Sequence, residues 1–120
     1  MSEGKHQWRV RISAAAEADF EHILQWTNEH FGDAQAIAYA ETLSMALTAL
    51  TDGPAINGAK ARDEILKGLF SLHVARQGRK GRHFIMFRLA PRESSEVVEV
   101  LRILHDSMDL PRHIGATDEH

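Results

Sequence analysis

Two consecutive helical stripes are the feature that most restricts the fold of this chain. In residues 14–31 the apolar side chains recur every three or four positions, and in residues 36–50 a second set steps by four, three, four and three. Between the two stripes stand Gly32, which can end a helix in the left-handed conformation, and Asp33, a possible N-cap for the second helix. Ser13 is the corresponding candidate N-cap for the first helix. Because the link is so short, the two helices are expected to form an antiparallel hairpin.

The rest of the chain has the pattern of strands. Residues 8–12 alternate apolar and basic side chains, and strand-like runs at 69–76, 82–89 and 96–105 are separated by short turns, which predicts an antiparallel meander. The last run is apolar on both faces in its second half, which is typical of a central strand. Residues 53–61 are rich in Gly, Pro, Asn and Ala and are expected to form a loop. The predicted fold is therefore α+β, in the order β-α-α-β-β-β, with an antiparallel sheet and the helical hairpin packed on one face.

Length and composition limit the classes of protein that this sequence can encode. A chain of 120 residues and 13.5 kDa forms one domain, 1–120, with an expected core at 8–114. The absence of cysteine excludes disulfides, thiolate metal sites and a cysteine nucleophile. No apolar run has the length of a membrane span and the N-terminus is polar, so we expect a cytoplasmic protein that makes no contact with a membrane.

The charges are unevenly distributed along the chain. Residues 1–61 contain four basic and eight acidic side chains, whereas residues 62–112 contain ten basic and seven acidic ones, and the net charge is −3. Proteins that bind phosphate backbones are usually more basic than this. Direct, sequence-specific binding of nucleic acid is therefore not expected.

The histidines and serines do not form a recognisable catalytic or metal-binding motif. Eight histidines are present, but no His-x-x-x-His or His-Glu-x-x-His spacing occurs, so we expect no metal and no cofactor. Serines 71, 94 and 95 lack the pattern of a nucleophile elbow. The segment 78–81 lacks the spacing of a phosphate-binding loop and is expected to be a solvated turn.

Two arginines and one tryptophan stand out against their surroundings. Arg88 and Arg102 lie inside otherwise apolar strands, where a guanidinium needs a partner. They either form structural ion pairs or, with Lys67, Arg76, Arg82 and Arg112, line the sheet face opposite the helices as a surface for an anionic partner. Trp26 falls off the main stripe of its helix and is expected to flank the core, the alternative being an exposed anchor for a partner.

The C-terminal strand and tail resemble a known family. Residues 100–114 read Val-Leu-Arg-Ile-Leu-His-Asp-Ser-Met-Asp-Leu-Pro-Arg-His-Ile, which resembles the C-terminal signature of the ParE toxins of the RelE/ParE superfamily. Residues 18–23, 32–39, 67–72 and 81–88 resemble other segments of that family in the same order. One departure is Phe70, which stands where the family has an arginine.

This resemblance implies the toxin of a bacterial type II toxin–antitoxin system, of the kind linked to plasmid stabilisation. ParE toxins poison DNA gyrase and are neutralised by ParD antitoxins, whereas their RelE relatives cleave mRNA in the ribosome. The fold of the superfamily is the one predicted above. For this chain the resemblance implies a ParD-like antitoxin in a hetero-oligomer and DNA gyrase as the target.

Charge and the position of its one tyrosine favour a gyrase inhibitor over a nuclease. Cleavage of mRNA requires acid–base groups and attraction to ribosomal RNA, but the chain is net negative and Tyr39 is predicted on the hairpin, away from the tail. The alternative is a RelE-type endonuclease whose catalytic set is Arg88, Arg102 and His105. A third reading is a non-toxic member that only binds the antitoxin in autoregulation.

The resemblance also suggests which residues contact each partner. The expected target-binding residues are Arg102, His105, Met108, Asp109, Arg112 and His113, and the expected antitoxin-binding residues are Trp26, Arg76, Arg82 and Arg88. The antitoxin would lay a helix in a groove beside the hairpin or add a strand to the sheet edge. Charge reversal at two of the three antitoxin-binding arginines is expected to weaken the complex far more than reversal at Lys5.

Overall fold

A computed structural model describes residues 7–90, 96–108 and 110. Two helices pack on a five-stranded mixed sheet, which confirms the α+β architecture. The elements are β1 (Arg9–Ile12), α1 (Ala14–Phe31), α2 (Asp33–Ala49), a short 3₁₀ turn (Leu50–Asp52), β2 (Lys60–Ala61), β3 (Leu69–His73), β4 (His83–Leu89) and β5 (Val97–His105). No helix in this described part of the chain is long and apolar enough to cross a membrane.

The strand order is β1-β5-β4-β3-β2, so β5 is an interior strand with a neighbour on each side, as its apolar pattern predicted. The strands β2 to β5 pair antiparallel, but β1 pairs parallel with β5, with hydrogen bonds from Arg9 N–H to the Glu96 carbonyl and from Ser13 N–H to the Val100 carbonyl. The alternation of side chains is the same in both kinds of pairing, so the sequence could not show this.

Two further differences lie at element boundaries. Strand β2 occupies two residues of the predicted loop 53–61, and two residues are too few to show periodicity. Strand β3 ends at His73 rather than at residue 76, because Arg76 N–H turns back to the Val74 carbonyl at 3.0 Å.

The helix boundaries follow the predicted caps with one correction. Ser13 Oγ accepts the Ala16 N–H at 3.0 Å and caps α1, and Gly32 ends α1 with a φ of 93°. Asp33, expected to be an N-cap, is instead the first residue of α2. Gly32 serves as the end of one helix and the N-cap position of the next, so no non-helical residue remains for Asp33 to occupy.

The sheet is covered on both faces. Side chains such as Leu43, Phe87 and Val100 form the core between the hairpin and the sheet. On the other face, Met86 and Leu104 pack with Leu110 in a second cluster. Alternate residues of one strand point to opposite faces, so β4 contributes to both cores. The edge strands β1 and β2 carry most of the exposed residues of the sheet.

Candidate functional site

A wide cleft of about 1330 Å³ lies between the helical hairpin and one end of the sheet. Its walls are the C-terminal half of α1, the N-terminal half of α2, the turn 78–82 and the end of β5. The family signature of β5 therefore ends at this cleft. The residues that carry chemistry here are Tyr39, Arg79, Lys80, Arg82, His83, His105, Ser107 and Met108.

Tyr39 joins α2 to the start of β4. Its hydroxyl accepts the Arg82 N–H at 3.0 Å and lies 2.7 Å from His83 Nδ1. Since the hydroxyl already accepts one bond, its own proton is available for His83. Gly81 permits this approach, because a Cβ at that position would stand 2.5 Å from Val74 Cγ2 and 2.9 Å from the Tyr39 hydroxyl. Burial raises the pKa of Tyr39, so the phenol stays protonated.

His83 and His105 are paired across β4 and β5, and their rings lie 5.2 Å apart in an edge-to-face arrangement. Burial lowers the pKa of His83 to about 4, and the neighbouring His105 adds to this effect. His105 Nδ1 lies 2.7 Å from Ser107 Oγ. The cleft thus contains a histidine that is neutral near pH 7 beside a second, more exposed histidine.

Asp106, which directly follows β5, is hydrogen-bonded to residues at the ends of β3 and β4, next to His83 and His105. Its carboxylate accepts bonds from Arg82 at 3.2 Å and from His73 Nε2 at 3.0 Å, and its N–H donates to the Arg82 carbonyl. Hydrogen bonds from Arg82 and then from His73 lower the pKa of Asp106 to about 2. The carboxylate therefore holds the segment after β5 against the ends of β3 and β4.

The position of Tyr39 corrects an expectation. The tyrosine was predicted to lie away from the C-terminal segment because it belongs to the hairpin, yet it reaches the strand end where that segment begins. A usable signal was present: antiparallel strands at 82–89 and 96–105 with a short connection place residues 83 and 105 opposite each other. Nothing in the sequence pointed to Tyr39 as their neighbour.

Arg88 and Arg102 form structural ion pairs. Arg102 donates to Asp19 of α1 at 2.8 and 3.0 Å, so it turns to the helical layer and not to the opposite face of the sheet as one reading expected. Arg88 Nε donates to Glu99 at 3.0 Å. Arg88 stands five residues along β4 from His83, which at about 3.4 Å per residue is a separation of about 17 Å. The structure does not gather Arg88, Arg102 and His105 into one catalytic set.

Trp26 is exposed, which contradicts the expectation that it flanks the core. Its side chain is 53% accessible and stacks on His30 with ring centroids 4.1 Å apart. Thr27, the next residue of α1, is the one that is buried. Trp26 and Phe31 instead form an aromatic wall of the cleft.

The other residues predicted to bind partners have different surroundings. Arg76 donates to the Asn57 carbonyl at 3.1 Å, and Met108 is exposed at the mouth of the cleft. Asp109, Arg112 and His113 lie outside the described residues. Within residues 7–90, 96–108 and 110, no group of three or more His, Asp or Glu side chains is arranged to hold a metal ion.

Known structures of other proteins share this fold. The chain superposes on a structure from the chromosomal ParDE toxin–antitoxin system of P. aeruginosa with a TM-score of 0.66 and 17% identity, covering 83% of this chain and 97% of that one. A second match, in the RelBE2 toxin–antitoxin complex of Mycobacterium tuberculosis, has a TM-score of 0.55, 20% identity and coverages of 82% and 98%. The chain therefore shares its fold with proteins of the ParDE and RelBE2 toxin–antitoxin systems.

Sequence comparison identifies the family. The family model described as "ParE toxin of type II toxin-antitoxin system, parDE" matches residues 10–110. Toxin ParE1 of Caulobacter vibrioides is 30% identical over 105 residues, which cover 88% of this chain and 96% of that protein. The chain therefore belongs to the ParE toxin family, and the resemblance found in its C-terminal strand is confirmed.

Proposed function

We propose that this chain is a toxin that inhibits DNA gyrase and that a ParD-like antitoxin neutralises it. Membership of the ParE family supports the gyrase target. The structural observation that carries the proposal is the ion pairing of the two strand arginines. Arg88 and Arg102 are held by Glu99 and Asp19, so the nuclease set expected of a RelE-type enzyme is not assembled around His105.

The antitoxin part of the proposal draws on the structural relatives. Both relatives described above come from toxin–antitoxin systems, one named ParDE and the other a RelBE2 complex. A chain with exposed Trp26 and Phe31 beside a cationic turn has a surface that a protein partner can cover.

Plasmid supercoiling by DNA gyrase in the presence of the purified chain tests the proposal. We expect wild type to inhibit supercoiling or to accumulate cleaved plasmid, and Met108→Glu, at the mouth of the cleft, to reduce that effect. Ile12→Glu, a matched change of an exposed apolar residue on β1, is expected to inhibit as wild type does. A folded wild-type chain that stops cell growth but leaves gyrase unaffected would contradict the target. If expression leaves growth unaffected, the chain is only an antitoxin-binding protein.

A second candidate, mRNA cleavage, is favoured by the pairing of His83 with His105 beside Lys80 and Arg82. In such a site, neutral His83 would take the proton of an RNA 2′-hydroxyl, whose oxygen attacks the adjacent phosphorus. The bond to the 5′-oxygen breaks, and His105, as the general acid, supplies a proton to that leaving oxygen. The products would be a 2′,3′-cyclic phosphate and a 5′-hydroxyl.

Ribosome-dependent cleavage of mRNA separates this candidate from the first. Loss of cleavage in both His83→Asn and His105→Asn, with cleavage retained in His22→Asn at the same cleft, would support the enzyme. If wild type leaves mRNA intact on translating ribosomes, the second candidate is wrong.

A further inference from the structure

Three arginines share the face of the sheet that is turned away from the helical hairpin. On β1 the side chain of Val10 packs against the main core, so Arg9 and Arg11 on either side of it point to the opposite face. On β4 Phe87 is buried in the same core, and the next residue, Arg88, points away from it. We call the surface that Arg9, Arg11 and Arg88 form on β1 and β4 the arginine face.

Glu99 of β5 stands between these arginines. The register of the sheet places it opposite Arg11 on β1 and opposite Arg88 on β4. It accepts hydrogen bonds from Arg11 Nη2 at 3.4 Å and from Arg88 Nε at 3.0 Å. Among the residues of the five strands, Glu99 is the one acidic side chain. These four side chains therefore carry a net positive charge, although the chain as a whole has a net charge of −3.

The guanidinium groups keep donors for a further ligand. Arg88 donates to the described residues through Nε alone, which leaves both of its Nη groups for another acceptor. The side chain of Arg9 forms no ion pair with any residue that the structure describes. The side chains of Arg11 and Arg88 are 50% and 42% accessible, whereas that of Glu99 is 20% accessible. An approaching molecule therefore meets the positive groups before the carboxylate.

The surroundings of the arginine face favour a phosphate backbone over a protein segment. Protein partners usually add apolar anchors to their charged contacts. The large apolar side chains that the described part of the chain exposes lie elsewhere. Four are on the hairpin and Met108 is at the cleft, while Ile12 and Leu89 occupy strand positions that point toward the hairpin side. A planar guanidinium, by contrast, matches two oxygens of a phosphate with parallel N–H donors.

The arginine face and the cleft can be occupied at the same time. Arg88 lies at the other end of β4 from His83, about 17 Å away at about 3.4 Å per residue. It also points to the other side of the sheet from the hairpin that walls the cleft. A protein that covers the cleft therefore leaves the arginine face accessible to a second ligand.

We propose that the arginine face contacts the backbone of the DNA that gyrase holds while this chain is bound to the enzyme. The contact is with phosphates and not with base edges, so it requires no particular DNA sequence. The proposal rests on the proposed function, because gyrase brings the DNA to the chain. Three phosphate contacts alone give weak binding, but attachment to the same enzyme raises the effective concentration of the DNA at the arginines.

The test compares binding of the purified full-length chain to immobilised DNA gyrase with and without a bound DNA duplex. We expect the duplex to tighten binding of the wild-type chain about tenfold. Arg9→Gln combined with Arg11→Gln should remove most of that gain and leave binding to DNA-free gyrase unchanged. Lys60→Gln with Lys67→Gln removes the same charge at and near the opposite edge of the sheet and should behave as wild type does. Circular dichroism and the melting temperature establish that each variant is folded.

Two further measurements respond to charge at the arginine face and not to its structural role. Glu99→Gln removes a negative charge but keeps an acceptor oxygen for Arg88, and should increase the gain from DNA about threefold. For three phosphate contacts the gain should fall with salt at a slope of about −2.7 in log K against log salt concentration. Arg9→Gln with Arg11→Gln should reduce that slope to about −0.9.

Separate outcomes overturn the two levels of the proposal. If the folded wild-type chain binds gyrase neither with nor without DNA, the proposed function is wrong and the DNA contact is wrong with it. If DNA does not tighten binding of wild type, or if the double arginine variant keeps the gain, the function stands and the arginine face is wrong. If that variant binds more weakly with and without DNA alike, the arginines contact an acidic segment of gyrase itself, and the DNA proposal is overturned.

Discussion

The hydroxyl of Tyr39 and Nδ1 of His83 lie 2.7 Å apart and join α2 to β4 across 44 positions of the sequence. The same hydroxyl accepts the Arg82 N–H, so one phenol satisfies two groups of the strand end. Tyr39 and His83 both line the cleft between the hairpin and the sheet. Through His83, whose ring lies 5.2 Å from that of His105, the contact also places α2 beside the end of β5.

Tyr39→Phe tests the stabilising role of that hydroxyl. The change leaves the Arg82 N–H and His83 Nδ1 without their partner, and we expect the free energy of unfolding to fall by about 1–2 kcal/mol. Urea unfolding at pH 7 measures the difference. Phe31→Leu, at an exposed aromatic position on the same cleft, serves as the control and should change stability by less than about 0.5 kcal/mol. Equal losses in the two variants would contradict the assigned role.

The stability of the folded chain should depend on pH through His83. Its pKa is about 4 in the folded protein against the usual 6.5, so between these values the unfolded chain binds more protons than the folded one. The free energy of unfolding is therefore expected to fall as the pH falls from about 6.5 to about 4. Below that range Asp106, with its pKa lowered from 3.8 to about 2, adds a second loss.

Denaturant unfolding over a series of pH values, with wild type and His83→Asn, checks this dependence. Asparagine offers Oδ1 in place of Nδ1 to the Tyr39 hydroxyl but does not titrate. The free energy of unfolding of the variant should therefore no longer fall as the pH is lowered from about 6.5 to about 4. It should still fall at lower pH, where Asp106 becomes protonated. An unchanged slope above pH 4 in His83→Asn would assign the dependence to another group.

The pair of Arg102 and Asp19 should be structural. Asp19 accepts both from Arg102 and from the Ile103 N–H at 2.9 Å, and both side chains are largely buried. Asp19→Ala removes both hydrogen bonds from the Arg102 guanidinium and the acceptor of the Ile103 N–H, and is expected to cost about 2–3 kcal/mol of stability. Glu41→Ala, which removes an exposed partner of Arg79 at 3.4 Å, should cost less than about 1 kcal/mol. The melting temperatures of the two variants show which one loses more stability. A larger decrease for Glu41→Ala than for Asp19→Ala would contradict the structural role of the Arg102–Asp19 pair.

Gly81 should not tolerate a side chain. A Cβ there would meet Val74 and the Tyr39 hydroxyl at 2.5 and 2.9 Å, so Gly81→Ala must displace buried groups and is expected to cost about 1–3 kcal/mol. Gly78→Ala in the same turn meets nothing within 4 Å but has a φ of +80°, and should cost about 1 kcal/mol. Nuclear magnetic resonance distinguishes the two, since only Gly81→Ala should shift the signals of Tyr39 and His83.

Local patterns in the sequence determined most of the architecture. The two stripes and Gly32 predicted the helical hairpin, and the β5 composition predicted a central strand. These are properties of neighbours three, four or two positions apart, which a sequence displays directly. The family also followed from the order of short motifs, because their spacing survives where overall identity is only 30%.

Contacts between distant segments were decided by the tertiary structure. The parallel pairing of β1, the exposure of Trp26 and the turn of Arg102 toward Asp19 depend on how the hairpin is placed on the sheet. The meeting of Tyr39 with His83 and His105 depends on the same placement. The periodicity of a helix shows which of its faces is apolar, but it does not show how far along the sheet that helix lies. The packing of the two cores fixes that distance, and with it the composition of the cleft.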